Sequence, residues 1–303
     1  MKPVLPFLLS ACVLHAAELT IDHVTVAGPN LKMMRGALAG LGVYSEYGGM
    51  HSNHATEMAL VSFPDGSYLE LIAIQRDADP EAVQAHYWSR QMEGGAGATA
   101  WAVRPKEMEP EIARLRAAGV SVHDPAKSGR ARPDGTRLDW ESAPVGDEPN
   151  GTFFPFLIHD ITPRELRANP SGEPTNLQFG GISKVVIAVQ DLGASIARYR
   201  RAYGLAEPVQ QQDKAFGARL AYFTGTPVIL ASALSGAADS WIVQRIHDFG
   251  EGPCAFLLKP TETSNAAPAL RPPASSRSDW FGIRISWFNP DRLGWNLGVE
   301  NSK

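Results

Sequence analysis

One supersecondary unit recurs along this chain, and that repetition limits the folds open to it more than any other feature. Four segments open with an apolar strand pattern: LTIDHVTVAG at 19–28, ATAWAVRP at 98–105, ISKVVIAV at 182–189 and PCAFLLKP at 253–260. With His23, Ala100, Lys184 and Ala255 as corresponding positions, the intervals are 77, 84 and 71 residues. Near-equal spacing of one unit marks an internally duplicated architecture. Behind the first three strands the apolar spacing changes to a helical period, at 31–41, 107–118 and 192–203. A glycine closes each run (Gly42, Gly119 and Gly204), as a left-handed helix cap requires.

After each helix come strand-like runs separated by turn residues. In the first unit they are 43–47, 57–63 and 68–74, the last two joined by Pro64-Asp65-Gly66-Ser67, a hairpin signal. The unit reads βαβββ. The second repeats it through 137–142 and 152–158, the third through 218–224 and 227–234. Residues 167–181, RANPSGEPTNLQFGG, read as a linker; 261–279, rich in Pro, Ala and Ser, read as an exposed loop where the fourth unit should hold its helix. The expectation is an α+β chain of two domains, 18–166 and 182–303, each pairing two βαβββ units into one curved mixed sheet.

Composition narrows the function. With 28 basic and 32 acidic residues and no long basic cluster, nothing offers a nucleic-acid backbone an electrostatic footprint. Two cysteines, Cys12 and Cys254, exclude a disulfide framework and a CxxC zinc site. Lys2, an apolar run over 3–14 and then Ala16 and Ala17 have the layout of a secretory signal spanning 1–17, too short to cross a bilayer. A secreted or periplasmic location is expected, with lipid attachment at Cys12 of Leu9-Ser10-Ala11-Cys12 as the lesser alternative. Cys254 then remains as a small buried hydrophobe. No later stretch reads as a membrane span. Gly-x-Ser-x-Gly, His-Glu-x-x-His and P-loop sequences are absent, and the glycines of 95–100 precede a strand, so they form no dinucleotide fingerprint.

Ile21-Asp22-His23 on the first strand, Leu41-Gly42, Gly48-Gly49-Met50-His51 and Asp65-Gly66-Ser67-Tyr68-Leu69-Glu70-Leu71 follow one another in an order and spacing that resemble the vicinal oxygen chelate superfamily, in particular its glyoxalase-like branch. Phe154-Pro155-Phe156-Leu157-Ile158 resembles that branch's closing strand. The clear likeness covers about 150 residues; 182–205 is a weaker echo. The resemblance implies a pocket cupped by a curved sheet, where a divalent metal ion (Zn, Mn, Fe or Ni) meets vicinal oxygens of a small molecule. It implies ligands at His23 and Glu70. The second-unit equivalents, Ala100 and about Pro155, cannot bind metal. The later equivalents, Lys184, about Ile229, Ala255 and about Trp295, imply a metal-free C-terminal half. Around Ala55-Thr56 the sequence departs from the family's Gly-Thr-x-Asn.

Strand parity gives a separate check. Side chains alternate faces, so Ile21, His23 and Thr25 should share one face and Asp22, Val24 and Val26 the other. On the fourth strand Tyr68, Glu70 and Ile72 align, which sends His23 and Glu70 to the concave face together. A catalytic metal needs a third protein ligand. His51, His54 and His159 are the candidates, with His51 first. Tyr68, His54 and His159 are expected to contact substrate, and Glu57 to shuttle protons. His86, His123 and His247 read as structural, Tyr87-Trp88 as a cover for the core or pocket rim, and Trp280, Trp287 and Trp295 as a patch that could take a partner. The leading functional reading is a metal-dependent isomerase, lyase or dioxygenase acting on a small oxygenated molecule. The alternative is a non-catalytic small-molecule binding or sequestering protein; a homodimer stays open.

Overall fold

The structure, a computed structural model, describes residues 18–234, 240–261 and 275–301. The leader expected over 1–17, with Cys12, lies outside them. The first unit runs β1 (Ile21–Ala27), α1 (Leu31–Ala39), β2 (Glu46–Met50), β3 (Thr56–Ser62) and β4 (Tyr68–Ile74). Two short helices follow, α2 (Pro80–Ala85) and α3 (Ser89–Gly94). The second unit is β5 (Gly97–Val103), α4 (Met108–Ala117), β6 (Ala126–Ala131), β7 (Arg137–Ala143) and β8 (Phe156–Asp160), ending in α5 (Arg164–Ala168). The third is β9 (Phe179–Ala188), α6 (Leu192–Tyr203), β10 (Val209–Asp213), β11 (Ala218–Tyr222) and β12 (Val228–Ala233), followed by α7 (Trp241–Phe249). The fourth is β13 (Gly252–Pro260), β14 (Ser276–Trp280), β15 (Ile283–Trp287), α8 (Pro290–Leu293) and β16 (Asn296–Asn301).

These strands build two eight-stranded mixed sheets, ordered β2-β3-β4-β1-β5-β8-β7-β6 and β10-β11-β12-β9-β13-β16-β15-β14. In each, the opening strand of a unit runs parallel to its closing strand, and the two units meet antiparallel along their opening strands. Both sheets curl until their ends nearly meet. His51 and Arg130 form an isolated antiparallel bridge across the first seam, and the Ser52 hydroxyl donates to the Gly129 carbonyl at 2.9 Å. Across the second, the Gln211 amide donates to the Asp279 carbonyl at 2.6 Å. The α+β expectation of tandem βαβββ units therefore holds.

Local chemistry explains the helices. The Asn30 and Asp191 side chains accept from the Met33 and Ala194 amides, and Gly42, Gly119 and Gly204 all take positive φ. α4 buries Met108, Ile112 and Leu115 on one stripe. Each of these is worth about 1.5–3 kcal/mol removed from water. Its exposed Arg116–Asp124 ion pair contributes under about 1 kcal/mol, so burial holds this helix. One hydrophobic cluster runs from the outer face of the first sheet (Val24, Val26, Leu69, Leu71, Trp101) to that of the second (Val185, Ile187, Leu230, Phe256, Val299). The halves touch so closely that a Cβ on Gly97 would meet the Trp295 Cβ at 2.2 Å.

Three expectations need correction. The expected loop over 261–279 contains β14 at its end, while 262–274 lie outside the described residues. Trp280, Trp287 and Trp295 form no surface patch, since all three are buried. Trp280 and Trp287 pack with Phe216, Ile229, Ala231 and Ile242 inside the second sheet's cup, and Trp295 joins the core between the sheets. The residue of β8 that faces the first cup is Phe156, not Pro155, and it too cannot bind metal. No helix among the described residues is long and apolar enough to cross a membrane.

Candidate functional site

The first cup holds a cavity of about 120 Å³ lined by His23, Tyr68, Glu70, His51, His86, Trp88, Arg130, Phe156 and Arg167, among others. Its geometry begins with an irregularity in β1. Ile21 pairs with Val103 and His23 with Ala102, so Asp22 is the extra residue of a β-bulge. Strict alternation would put Asp22 on the helix side. The bulge instead lets its fully buried carboxylate reach His23 and two guanidiniums: Arg167 donates to it at 2.8 Å, and Arg164 donates to it as well. Both arginines also bond Asp160, and Arg167 donates to the Tyr68 hydroxyl at 2.6 Å. Burial would push the Asp22 carboxyl up. The two guanidiniums and the His23 hydrogen bond outweigh it and hold the group well below the usual carboxylate range.

His23 is fixed from three sides. Its Nδ1 lies 2.6 Å from Asp22 Oδ1; a carboxylate only accepts, so Nδ1 carries the proton. Its ring stacks on Tyr68 at 4.8 Å and meets the edge of Phe156 at 5.4 Å. Nε2 is left pointing at Glu70 Oε2, 3.8 Å away. From the seam, His51 Nε2 comes within 3.5 Å of Glu70 Oε1, while its Nδ1 is held 2.8 Å from the Thr56 hydroxyl. Glu70 also accepts from the Thr25 hydroxyl at 3.2 Å. Burial would raise Glu70, but the His51 hydrogen bond, the electrostatic pull of the His23 and His51 imidazoles and the Thr25 hydroxyl bring it down to about 2. The carboxylate is ionised at neutral pH.

The structure thus brings His23, His51 and Glu70 together and places Tyr68 beside them. Glu57, His54 and His159 it places elsewhere. Met58 of β3 lines the cavity, so its neighbour Glu57 points to the other face, where it accepts from the Tyr47 hydroxyl at 3.0 Å; it is no proton shuttle for this cup. His54 is exposed, with φ of 57° in the turn before β3. His159 is exposed at the end of β8, on the face opposite the cavity-lining Phe156 and Ile158.

Sequence reasoning passed over His86, Arg130 and Arg167. His86 is not merely structural: it lines the cavity, and burial together with nearby His51 pulls it down to about 4. It is therefore neutral at pH 7. Its Nδ1 accepts the Trp88 amide at 3.1 Å, which leaves Nε2 as the N–H donor. His123 and His247 are exposed. Burial pushes the Arg130 guanidinium down to about 10, still cationic at neutral pH. Neither arginine was within reach of pattern reading, since Arg130 sits on an edge strand of polar residues and Arg167 in the expected linker.

Two imidazoles and a carboxylate are a donor set suited to a first-row transition metal. Atoms that share one ion at about 2.1 Å lie roughly 3.0–3.4 Å apart. The observed 3.5 and 3.8 Å contacts are a few tenths wider. Among the described residues no three His, Cys, Asp or Glu side chains already stand at metal-binding spacing. The donor chemistry fits, and each histidine has its far nitrogen held, as metal-binding imidazoles do.

In sequence, residues 21–203 match a family profile described as Glyoxalase-like domain. None of the curated protein sequences compared matches the chain. Among solved structures, a hypothetical protein from Staphylococcus aureus is similar over 93% of this chain and 99% of its own, with a TM-score of 0.63 and 13% identity. A triple mutant of 4-hydroxymandelate synthase from Streptomyces coelicolor is similar over 94% of this chain and 92% of its own (TM-score 0.53, 11% identity). A xylose isomerase-like TIM barrel/4-hydroxyphenylpyruvate dioxygenase fusion protein is similar over 96% of this chain and 50% of its own (TM-score 0.55, 11% identity). At these identities the likeness is one of fold.

Proposed function

The chain belongs to the Glyoxalase-like domain family, and from that premise we propose that its first cup is a divalent-metal site of an enzyme acting on a small oxygenated molecule. One observation carries the reading: His23 and His51 both turn Nε2 toward the two oxygens of an ionised Glu70, with their Nδ1 atoms held by Asp22 and Thr56. These three side chains would hold the ion. A bound ion would supply Lewis acidity toward substrate oxygens, the chemistry on which isomerase, lyase and dioxygenase reactions on this scaffold draw.

The remaining work falls to the chain itself. Asp22 fixes the His23 tautomer and orients the ring, and Tyr68 and Phe156 clamp it. Neutral His86 offers an N–H hydrogen-bond donor to a ligand oxygen from the cavity rim. Trp88, whose indole donates to the Asn150 carbonyl at 2.9 Å, walls the site from water.

A second reading, metal-independent binding of a small molecule without turnover, has its own support. The 3.5 and 3.8 Å contacts stand wider than atoms sharing one ion would. Elemental mass spectrometry on tag-free protein decides between them, beside His23→Ala and Glu70→Ala variants whose folding is checked by circular dichroism. Near one equivalent of a transition metal, lost in both variants, is the expected result. No metal after reconstitution with Zn, Mn, Fe or Ni would refute the enzyme reading and favour the binding protein.

A further inference from the structure

Arg130 stands on β6 directly across the barrel seam from His51. Residues opposite each other in an antiparallel pair project to the same face, and Arg130 lines the same cavity as His51. Its side chain is among the most completely buried in the protein, with 1% exposure. Its Nη1 donates to the Gly48 carbonyl and its Nη2 to the Arg167 carbonyl, at 3.1 Å for the latter. Its Nε has no partner among the described residues. Other arginines around this cup are treated differently: Arg164 and Arg167 each bond both Asp22 and Asp160. No carboxylate among the described residues makes an ion pair with Arg130.

A buried guanidinium satisfied only by neutral carbonyls is costly unless a counter-charge completes it. The permanent charges lining the cavity are Arg130, Arg167 and Glu70. Arg167 is neutralised from behind by Asp22 and Asp160, and Glu70 faces the two histidines. Among the described residues Arg130 is therefore the permanent charge of this cavity that has no ion-pair contact, and a metal ion held by His23, His51 and Glu70 would leave the cup with positive charge in excess. Resting on the reading of this cavity as the ligand site, we propose that its ligand is a small carboxylic acid anion whose carboxylate is bound by Arg130, with its other oxygens toward His23, His51 and Glu70. The cavity volume of about 120 Å³, beside the roughly 150 Å³ of a cavity that takes benzene, suits a ligand of a few carbons.

The test is isothermal titration calorimetry with lactate and with lactamide, which share a shape and differ in charge. Tag-free protein is titrated both chelator-treated and zinc-reconstituted, beside Arg130→Met and Arg130→Lys. Loss of a hydrogen bond to a charged partner corresponds to about a ten- to hundred-fold change in affinity. Lactate should bind at least about ten-fold tighter than lactamide in both forms of the natural protein. Arg130→Met should erase the preference, and Arg130→Lys, which keeps charge without the planar fork, should retain part of it. Equal affinity for the two probes, no lactate binding in either form, or a preference that survives Arg130→Met overturns the proposal. Should Arg130→Met not fold, the lactate–lactamide comparison and the Lys variant decide. A preference that appears only with zinc and ignores position 130 refutes the Arg130 assignment and leaves the metal site standing. A preference that persists in protein unable to bind metal refutes the metal site and leaves the Arg130 assignment standing.

Discussion

Asp22→Asn takes one negative charge from the centre of a buried network and leaves behind Arg164, Arg167 and, at 3.9 Å, Arg104. The side chains concerned are 0% exposed for Asp22, 3% for Arg167 and 15% for Arg164. Solvent cannot replace what is lost. Removing one member of a buried ion pair costs about 3–5 kcal/mol, because an uncompensated charge remains. Asp160 still bonds the Arg164 and Arg167 guanidiniums, which favours the lower end, about 3 kcal/mol. For 303 residues, at about 2.1 cal/mol/K of unfolding entropy per residue, that lowers the unfolding midpoint by roughly 5 °C. Urea titration at pH 7, followed by tryptophan fluorescence and circular dichroism together, measures the loss. A double-mutant cycle isolates its cause. Arg167→Met alone should also be costly, but Asp22→Asn with Arg167→Met removes the stranded charge along with its partner. The pair should then lose at least about 2 kcal/mol less than the summed single losses. A cost below about 1 kcal/mol for Asp22→Asn, or simple additivity, would show that the bulge is held by packing and that the ion network is incidental.

Two further outcomes follow from the same geometry. The Glu70 carboxyl is held at about 2 against an ordinary 4.5. A depressed carboxylate stabilises the fold above its unfolded value and loses that contribution as pH falls through the folded one, so from pH 6 to pH 3 the natural protein should lose roughly 2 kcal/mol more than Glu70→Gln. Equal losses in urea titrations at the two pH values would contradict the triad's electrostatics. Trp280→Ala should cost about 3–5 kcal/mol by emptying the second cup, while lactate affinity in the first stays unchanged. A cost under about 1 kcal/mol would return this residue to the surface role first expected of it.

What the sequence revealed and what it hid have physical causes. α6 was readable to the residue because its apolar spacing lies between an Asp191 cap and Gly204. β6 and β10 escaped because they are sheet-edge strands, AKSGRA and VQQQD, with too little apolar surface to show alternation. His23 and Glu70 were placed correctly on the concave face by parity, yet Asp22 was not. A bulge adds one residue to the count, and nothing in Ile21-Asp22-His23 announces it. Glu57 failed for the opposite reason. Both faces of β3 are largely apolar, and only the cavity-lining Met58 fixes which face is which. Arg130 and His86 became visible only when the barrel seam and the segment after α2 were brought over the cup.

The loop before β8 lies between two jobs. On one side, Asn150 and Phe156 line the cavity, and the Asn150 carbonyl secures Trp88. On the other, the Phe153 carbonyl accepts the Tyr199 hydroxyl, and Phe153 and Phe154 lie within 5.3 Å of that tyrosine's ring, with the Arg198 guanidinium 3.8 Å over Phe153. The half whose own cup is plugged by aromatic side chains is thus the abutment against which the open cup is sprung. Its residues can tune the width of a chamber they never enter, so variants of altered ligand size are to be sought along α6 as much as around the cavity wall.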